Sequence, residues 1–164
     1  MRRFDRHIGR AVPLMLENVN TDAIMPTPWI IEVNADWGDG LFRRWRYDIE
    51  GRKIADFPLN LPRFRDATIL VAGRNFGCGS SREEAVWGLD EFGIRCVIAP
   101  SFGDIFFENA FKNGILPIVL PAEEVDAIAQ TLSVADRPDL TIDLERCVVA
   151  EPTGRQIDFR IDAD

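Results

Sequence analysis

From Thr68 onward, apolar positions fall into short runs that alternate with longer amphipathic stretches. Thr68–Ala72 is an apolar run of strand length, and Ser80–Phe92 has helical spacing. Gly93 stands where a helix-ending glycine would stand. Ile94–Ala99 follows as a second strand, rich in β-branched residues. Ser101–Lys112 predicts a second helix, with Ser101 and Asp104 spaced as a capping box and Asn113-Gly114 as its stop. Ile115–Leu120 is a third strand. A βαβαβ order predicts parallel strands joined by right-handed crossovers. Pro121–Ser133 predicts another helix. Leu140–Leu144, Cys147–Ala150 and Gln156–Ile161 alternate with period two, with Pro152-Thr153-Gly154 as a turn, and predict antiparallel strands that close the domain.

The first third is less regular. Pro13, Pro26, Pro28, Pro58 and Pro62 punctuate it. Arg10–Leu16 reads as a strand, Trp29–Val33 as a short helix or strand, and Asn34–Gly40 as a loop rich in Asp, Asn and Gly. There is no internal repeat and no low-complexity tract. With 164 residues, the pattern predicts one α/β domain spanning 1–164.

Charge sharpens this picture. The net charge is −8, yet residues 121–164 hold 11 acids against 4 arginines, while the rest is nearly balanced. The acidity reads as a solvated C-terminal face and argues against nucleic acid as a partner. No run approaches the roughly 20 apolar residues of a membrane span. The first residues have no signal-peptide core, so a cytoplasmic address is expected. Cys78, Cys96 and Cys147 are too widely spaced for a metal knuckle or a disulfide framework, so no metal is expected on this chain.

The densest chemistry lies at Arg74–Glu83, R-N-F-G-C-G-S-S-R-E, between the predicted strand and helix. No acid occurs between Asp66 and Glu83. Backbone N–H groups at a helix start favour an anion, and Gly77, Cys78 and Gly79 let a ligand approach the backbone. Each serine also has a glutamate three residues on, Ser80 with Glu83 and Ser81 with Glu84, so helix capping explains one of them equally well. One helix has one N-cap, and the second serine needs another explanation. Arg74 and Arg82 are either solvated charges or carboxylate ligands; Arg82 opposes the helix dipole. Cys78 reads as a small filler. The turn is not G-x-S-x-G, and the single histidine, His7, is distant in sequence, which disfavours a Ser-His-Asp hydrolase. It also lacks the Lys-Ser/Thr ending of a P-loop. Asn20-Thr21-Asp22 reads as an Asx turn and Leu41–Arg46 as a basic amphipathic turn.

Together, N-T-D-A-I-M-P (20–26), G-L-F-R-R-W-R (40–46), the 74–83 segment, I-A-P-S-F-G-D-I-F-F-E-N (98–109) and G-I-L-P (114–117) resemble the small subunits of 3-isopropylmalate dehydratases, also called isopropylmalate isomerases. The G-x-G-S-S-R-E signature is also that of the aconitase swivelling domain. The resemblance covers nearly the whole chain. It implies a swivelling β/β/α domain that docks on a large subunit carrying a 4Fe-4S cluster. It implies interconversion of 2- and 3-isopropylmalate by dehydration and rehydration, in leucine biosynthesis. By motif match it makes Ser80 the catalytic base, and Ser81, Arg82 and Arg46 substrate-binding residues. Thr21 and Asp22 match residues lining the cleft. Glu84 departs from the family pattern, which has histidine there, and the chain stops soon after Ile161, where many bacterial members continue. Related hydro-lyases act on citraconate, dimethylmaleate, homoaconitate or methylcitrate-like acids. A carboxylate-binding module without chemistry is the reading from another class.

Overall fold

A computed structural model describes residues 5–27 and 36–161. The reading over Trp29–Val33 lies outside the described residues. The strands are β1 (Arg6–Leu14), β2 (Ile69–Ala72), β3 (Cys96–Ala99), β4 (Leu116–Val119), β5 (Asp139–Asp143), β6 (Val148–Ala150) and β7 (Gln156–Asp158). They form one sheet in the order β4-β3-β2-β1-β5-β6-β7. β1 to β4 are parallel and β5 to β7 antiparallel. β1 is the join, pairing Leu14 with Ala72 on one side and Gly9 with Leu140 on the other.

The helices are α1 (Thr21–Ile24), α2 (Trp37–Gly40), α3 (Arg43–Arg46), α4 (Glu83–Phe92), α5 (Asp104–Lys112) and α6 (Ala122–Val134). Alternating strand residues feed two cores, one on each face. Leu70 and Ala72 of β2 join Leu89, Phe106 and Ala110 under α4 and α5. Ile69 and Val71 join Val125, Ile128 and Leu132 of α6. β2 and β3 are buried on every residue, as expected for strands covered on both faces. Burial pushes the Cys96 thiol of β3 far above its usual range, which makes this cysteine inert packing.

The predicted βαβαβ unit and the antiparallel closure are both present, with element ends moved by one to three residues. Gly93 ends α4 in the left-handed conformation, with φ +111°. Two expectations fail for tertiary reasons. Within the expected loop over Asn34–Gly40, the described part is a helical turn, α2. Asp36 caps it by accepting from the Asp39 N–H at 3.1 Å, and Gly38 lies against α4, where its N–H donates to Glu91. The capping box at Ser101 does not form: α5 starts at Asp104, with Gly103 as its N-cap. The Ser101 hydroxyl accepts from the Asn75 N–H at 2.9 Å instead.

Candidate active site

Beyond the carboxyl end of β2, the glycine-serine turn is gripped from both sides. On one side, the Gly77 N–H donates to Val19 O at 2.7 Å and the Thr21 N–H to Cys78 O at 2.9 Å. On the other, the Phe76 N–H donates to Ser101 O at 3.1 Å and the Gly103 N–H to Phe76 O at 2.9 Å. These parallel bridges extend the sheet past its strands. Phe76 is fully buried and meets Phe106 edge-on, with ring centroids 5.4 Å apart. Gly77, at φ +79°, has Phe106 where a side chain would be. Gly79, at φ +94°, then turns the chain outward.

Ser80 and Ser81 are exposed, and neither caps α4. The helix starts three residues later than expected, at Glu83. Its N-cap is Arg82, in extended conformation with no side-chain cap, so both predicted serine-glutamate boxes are corrected. The cause is tertiary: buried Thr21 donates its hydroxyl to Ser80 O at 2.8 Å, which holds that carbonyl away from any helical partner. Backbone N–H groups of Gly79, Ser80, Ser81 and Arg82 make no hydrogen bond to another described residue. Four donors on the approach to α4 are thus left for solvent or a ligand, ahead of the positive end of the helix.

Asn20 caps α1 by accepting from the Ala23 N–H at 2.8 Å, so the Asx-turn reading holds and coexists with a site role. The next two residues face the turn. Thr21 holds Ser80, and Asp22 lies between two arginines. Its Oδ2 accepts from Arg44 Nη1 at 2.9 Å; its Oδ1 lies 3.4 Å from Arg82 Nη1 and 3.3 Å from the Thr27 hydroxyl. Arg82 also donates to Met25 O at 3.2 Å. Partial desolvation pushes the Asp22 carboxyl up, but Arg44 and Arg82, with a bond from Thr27, outweigh it and hold the group below its ordinary value. The sign follows: these ion pairs persist throughout the range above the ordinary value and are lost only as pH falls through the lowered one. Carboxyl-carbon NMR is expected to show Asp22 titrating below 3.8, with Arg44→Gln moving the midpoint upward.

Arg46 is not at this cluster. It is 7% exposed, and its Nη1 donates to Gly38 O at 3.1 Å and Leu41 O at 2.9 Å, tying α3 to α2. Its guanidinium lies 4.9 Å from the Phe92 ring centroid. Burial lowers its pKa. Arg44, two residues earlier, is the arginine that reaches Asp22, and the motifs of the sequence assigned it no role. Arg74 is exposed. Cys78 serves through its backbone, in the bridge to Asn20. His7 bonds Thr68 at 2.6 Å near the start of β1, about 20 Å along the strand from Leu14, so no Ser-His pair forms. Among the described residues, no group of three His, Cys, Asp or Glu side chains could hold a metal. No helix among them is long and apolar enough to cross a membrane.

The family described as the aconitase C-terminal domain matches residues 1–123. The 3-isopropylmalate dehydratase small subunit of Dinoroseobacter shibae is 49% identical over 164 residues, covering 99% of this chain and 82% of that protein. The protein of that name from Parvibaculum lavamentivorans is 50% identical over 163 residues, covering 99% and 81%. A crystal structure of 3-isopropylmalate dehydratase from Methanocaldococcus jannaschii matches with a TM-score of 0.69 and 29% identity, over 97% of this chain and 84% of that one.

Proposed function

The chain belongs to the aconitase C-terminal domain family, among its 3-isopropylmalate dehydratase small subunits, and from that premise we propose that it is the small-subunit half of a hydro-lyase that isomerises 2-isopropylmalate to 3-isopropylmalate. The role is a step of leucine biosynthesis in the cytoplasm. The observation that carries the reading is the exposed Ser80-Ser81 pair on a turn with unspent N–H donors, beside Arg82.

In this reading Ser80 is the base. Its oxyanion takes the proton from the carbon next to a substrate carboxylate, and the C–H electron pair forms the double bond as hydroxide leaves. Rehydration reverses these steps with the hydroxyl on the neighbouring carbon. A serine oxyanion needs strong stabilisation. The N–H groups of the turn that have no partner among the described residues are the donors available to supply it. Ser81 and Arg82 hold a carboxylate, and Thr21 fixes the Ser80 backbone.

The other half of the site belongs to a large subunit. The three cysteines of this chain fit no cluster: Cys96 is buried in β3, Cys78 lies in the turn, and Cys147 bonds Leu144 O beside β6. Lewis-acid activation of the substrate hydroxyl and carboxylate is the chemistry that a 4Fe-4S cluster on that subunit supplies. The exposure of the serine face suits such an apposed partner.

The test is reconstitution. The chain alone is expected to show no turnover. Combined anaerobically with a cluster-bearing large subunit, it is expected to convert 2-isopropylmalate to 3-isopropylmalate, followed by chromatography. Turnover of citraconate, dimethylmaleate, homoaconitate or a methylcitrate-like acid instead would change the substrate. Tight binding of a small acid by the chain alone, with no turnover in the assembly, would overturn the hydro-lyase reading.

A further inference from the structure

Arg44 ion-pairs with Asp22, yet the family motifs left it without a role. It sits in α3, which follows Phe42 at φ +50°. That left-handed residue redirects the chain so that Arg46 turns inward onto Gly38 and Leu41 while Arg44 turns outward onto Asp22. The Asp22 carboxylate then joins two guanidinium groups from distant segments, Arg44 and Arg82, through one oxygen each. Among the described residues, Nη1 is the engaged atom of both arginines. The Nη2 and Nε donors of each remain to be used, and a guanidinium has five donors in a planar fork suited to carboxylates. The Arg44 side chain is 55% exposed and that of Arg82 22%, so both are reachable by a small anion, and Arg82 follows directly on the exposed Ser80 and Ser81.

We propose that Arg44 is a further substrate-binding residue: it grips a substrate carboxylate together with Arg82, while Asp22 is the positioning residue that holds the two guanidinium groups side by side. The inference rests on the hydro-lyase reading. It adds a cation that a surface charge, turned into solvent and unshared, would not provide.

The test uses the assembled, cluster-loaded enzyme and a panel of hydroxy-diacids that includes 2-isopropylmalate. Whichever acid the wild-type assembly prefers decides the substrate reading independently of Arg44. On that acid, Arg44→Gln is expected to raise KM at least about tenfold with kcat within about threefold, because it removes ground-state and transition-state binding alike. Arg44→Lys is expected to recover part of the loss, as a point charge without the fork. Asp22→Asn is expected to raise KM in the wild-type background and to add little to Arg44→Gln, as expected of residues that act as a unit. A KM within about twofold of wild type for Arg44→Gln would overturn the proposal. So would an unchanged KM with weakened subunit association in gel filtration, which would make Arg44 an interface residue.

Discussion

Ser80→Ala, assembled with the cluster-bearing subunit, is expected to lower kcat by about three orders of magnitude while leaving the fold intact. Removal of a positioned general base costs roughly 10²–10⁴ in rate, and a serine oxyanion has no ready substitute on this face. The fold should survive because the Ser80 side chain makes no hydrogen bond to a described residue; its backbone carbonyl, which Thr21 holds, is retained in alanine. The thermal midpoint should therefore move by no more than about 2 °C, since exposed substitutions of this kind fall within about 0.5 kcal/mol. Ser81→Ala makes the contrast. It removes a carboxylate ligand and should act mainly on KM. Steady-state kinetics on the two variants, with calorimetry as the control, separates a base from a binding hydroxyl. A kcat within tenfold of wild type for Ser80→Ala would remove Ser80 from the chemistry.

Gly77→Ala is expected to destabilise the fold strongly. The new Cβ would lie 2.3 Å from the Phe106 ring, and Phe106 is buried between Phe76 and Phe102 with little room to yield. The backbone there has φ +79°, a conformation that costs an L-residue about 1–2 kcal/mol. Overpacking adds about 1–3 kcal/mol. The sum, about 2–5 kcal/mol, is a large part of the roughly 5–15 kcal/mol that holds a domain together. The midpoint should fall by about 10 °C for a chain of this size. A fall of under about 2 °C would mean that the turn can shift, and with it the placement of Ser80.

How much of this was legible in the sequence depends on whether the signal was local. The parallel strands and α4 to α6 were, because an apolar run or a helical stripe carries its own period. Helix starts were not. Ser80, Ser81 and Ser101 each carried a capping-box spacing, but tertiary contacts took the groups that capping needs: Thr21 holds the carbonyl of Ser80, and Asn75 uses the hydroxyl of Ser101. The arginines of α3 part for a geometric reason. Residues two apart on a helix point about 200° away from each other, so either Arg44 or Arg46 could face the cleft, but not both. The choice rests on the left-handed Phe42, a conformation that a phenylalanine does not advertise. The motif match named Thr21, Asp22 and Arg82, and these do converge with the Ser80 backbone.

The position of β1 between two kinds of sheet bears on how so acidic a chain can offer a site to an anion. The acidic balance lies in residues 121–164, where Asp139, Asp143, Glu145, Glu151 and Asp158 stand on or beside the antiparallel strands and Glu123, Glu124 and Asp126 on α6. The serine turn leaves from β2, on the other side of β1. At about 4.8 Å per strand, β6 and β7 stand some 14–19 Å from β2. That is about two screening lengths at physiological salt, where the length is about 8 Å. Some of the acidic charge is also neutralised in place, by Arg155 against Glu151 and Glu124 and by Arg10 against Asp139. An incoming diacid therefore meets the local field of Arg44, Arg82 and four amide dipoles rather than the −8 of the whole chain, and added salt should weaken its attraction to the subunit instead of relieving a repulsion.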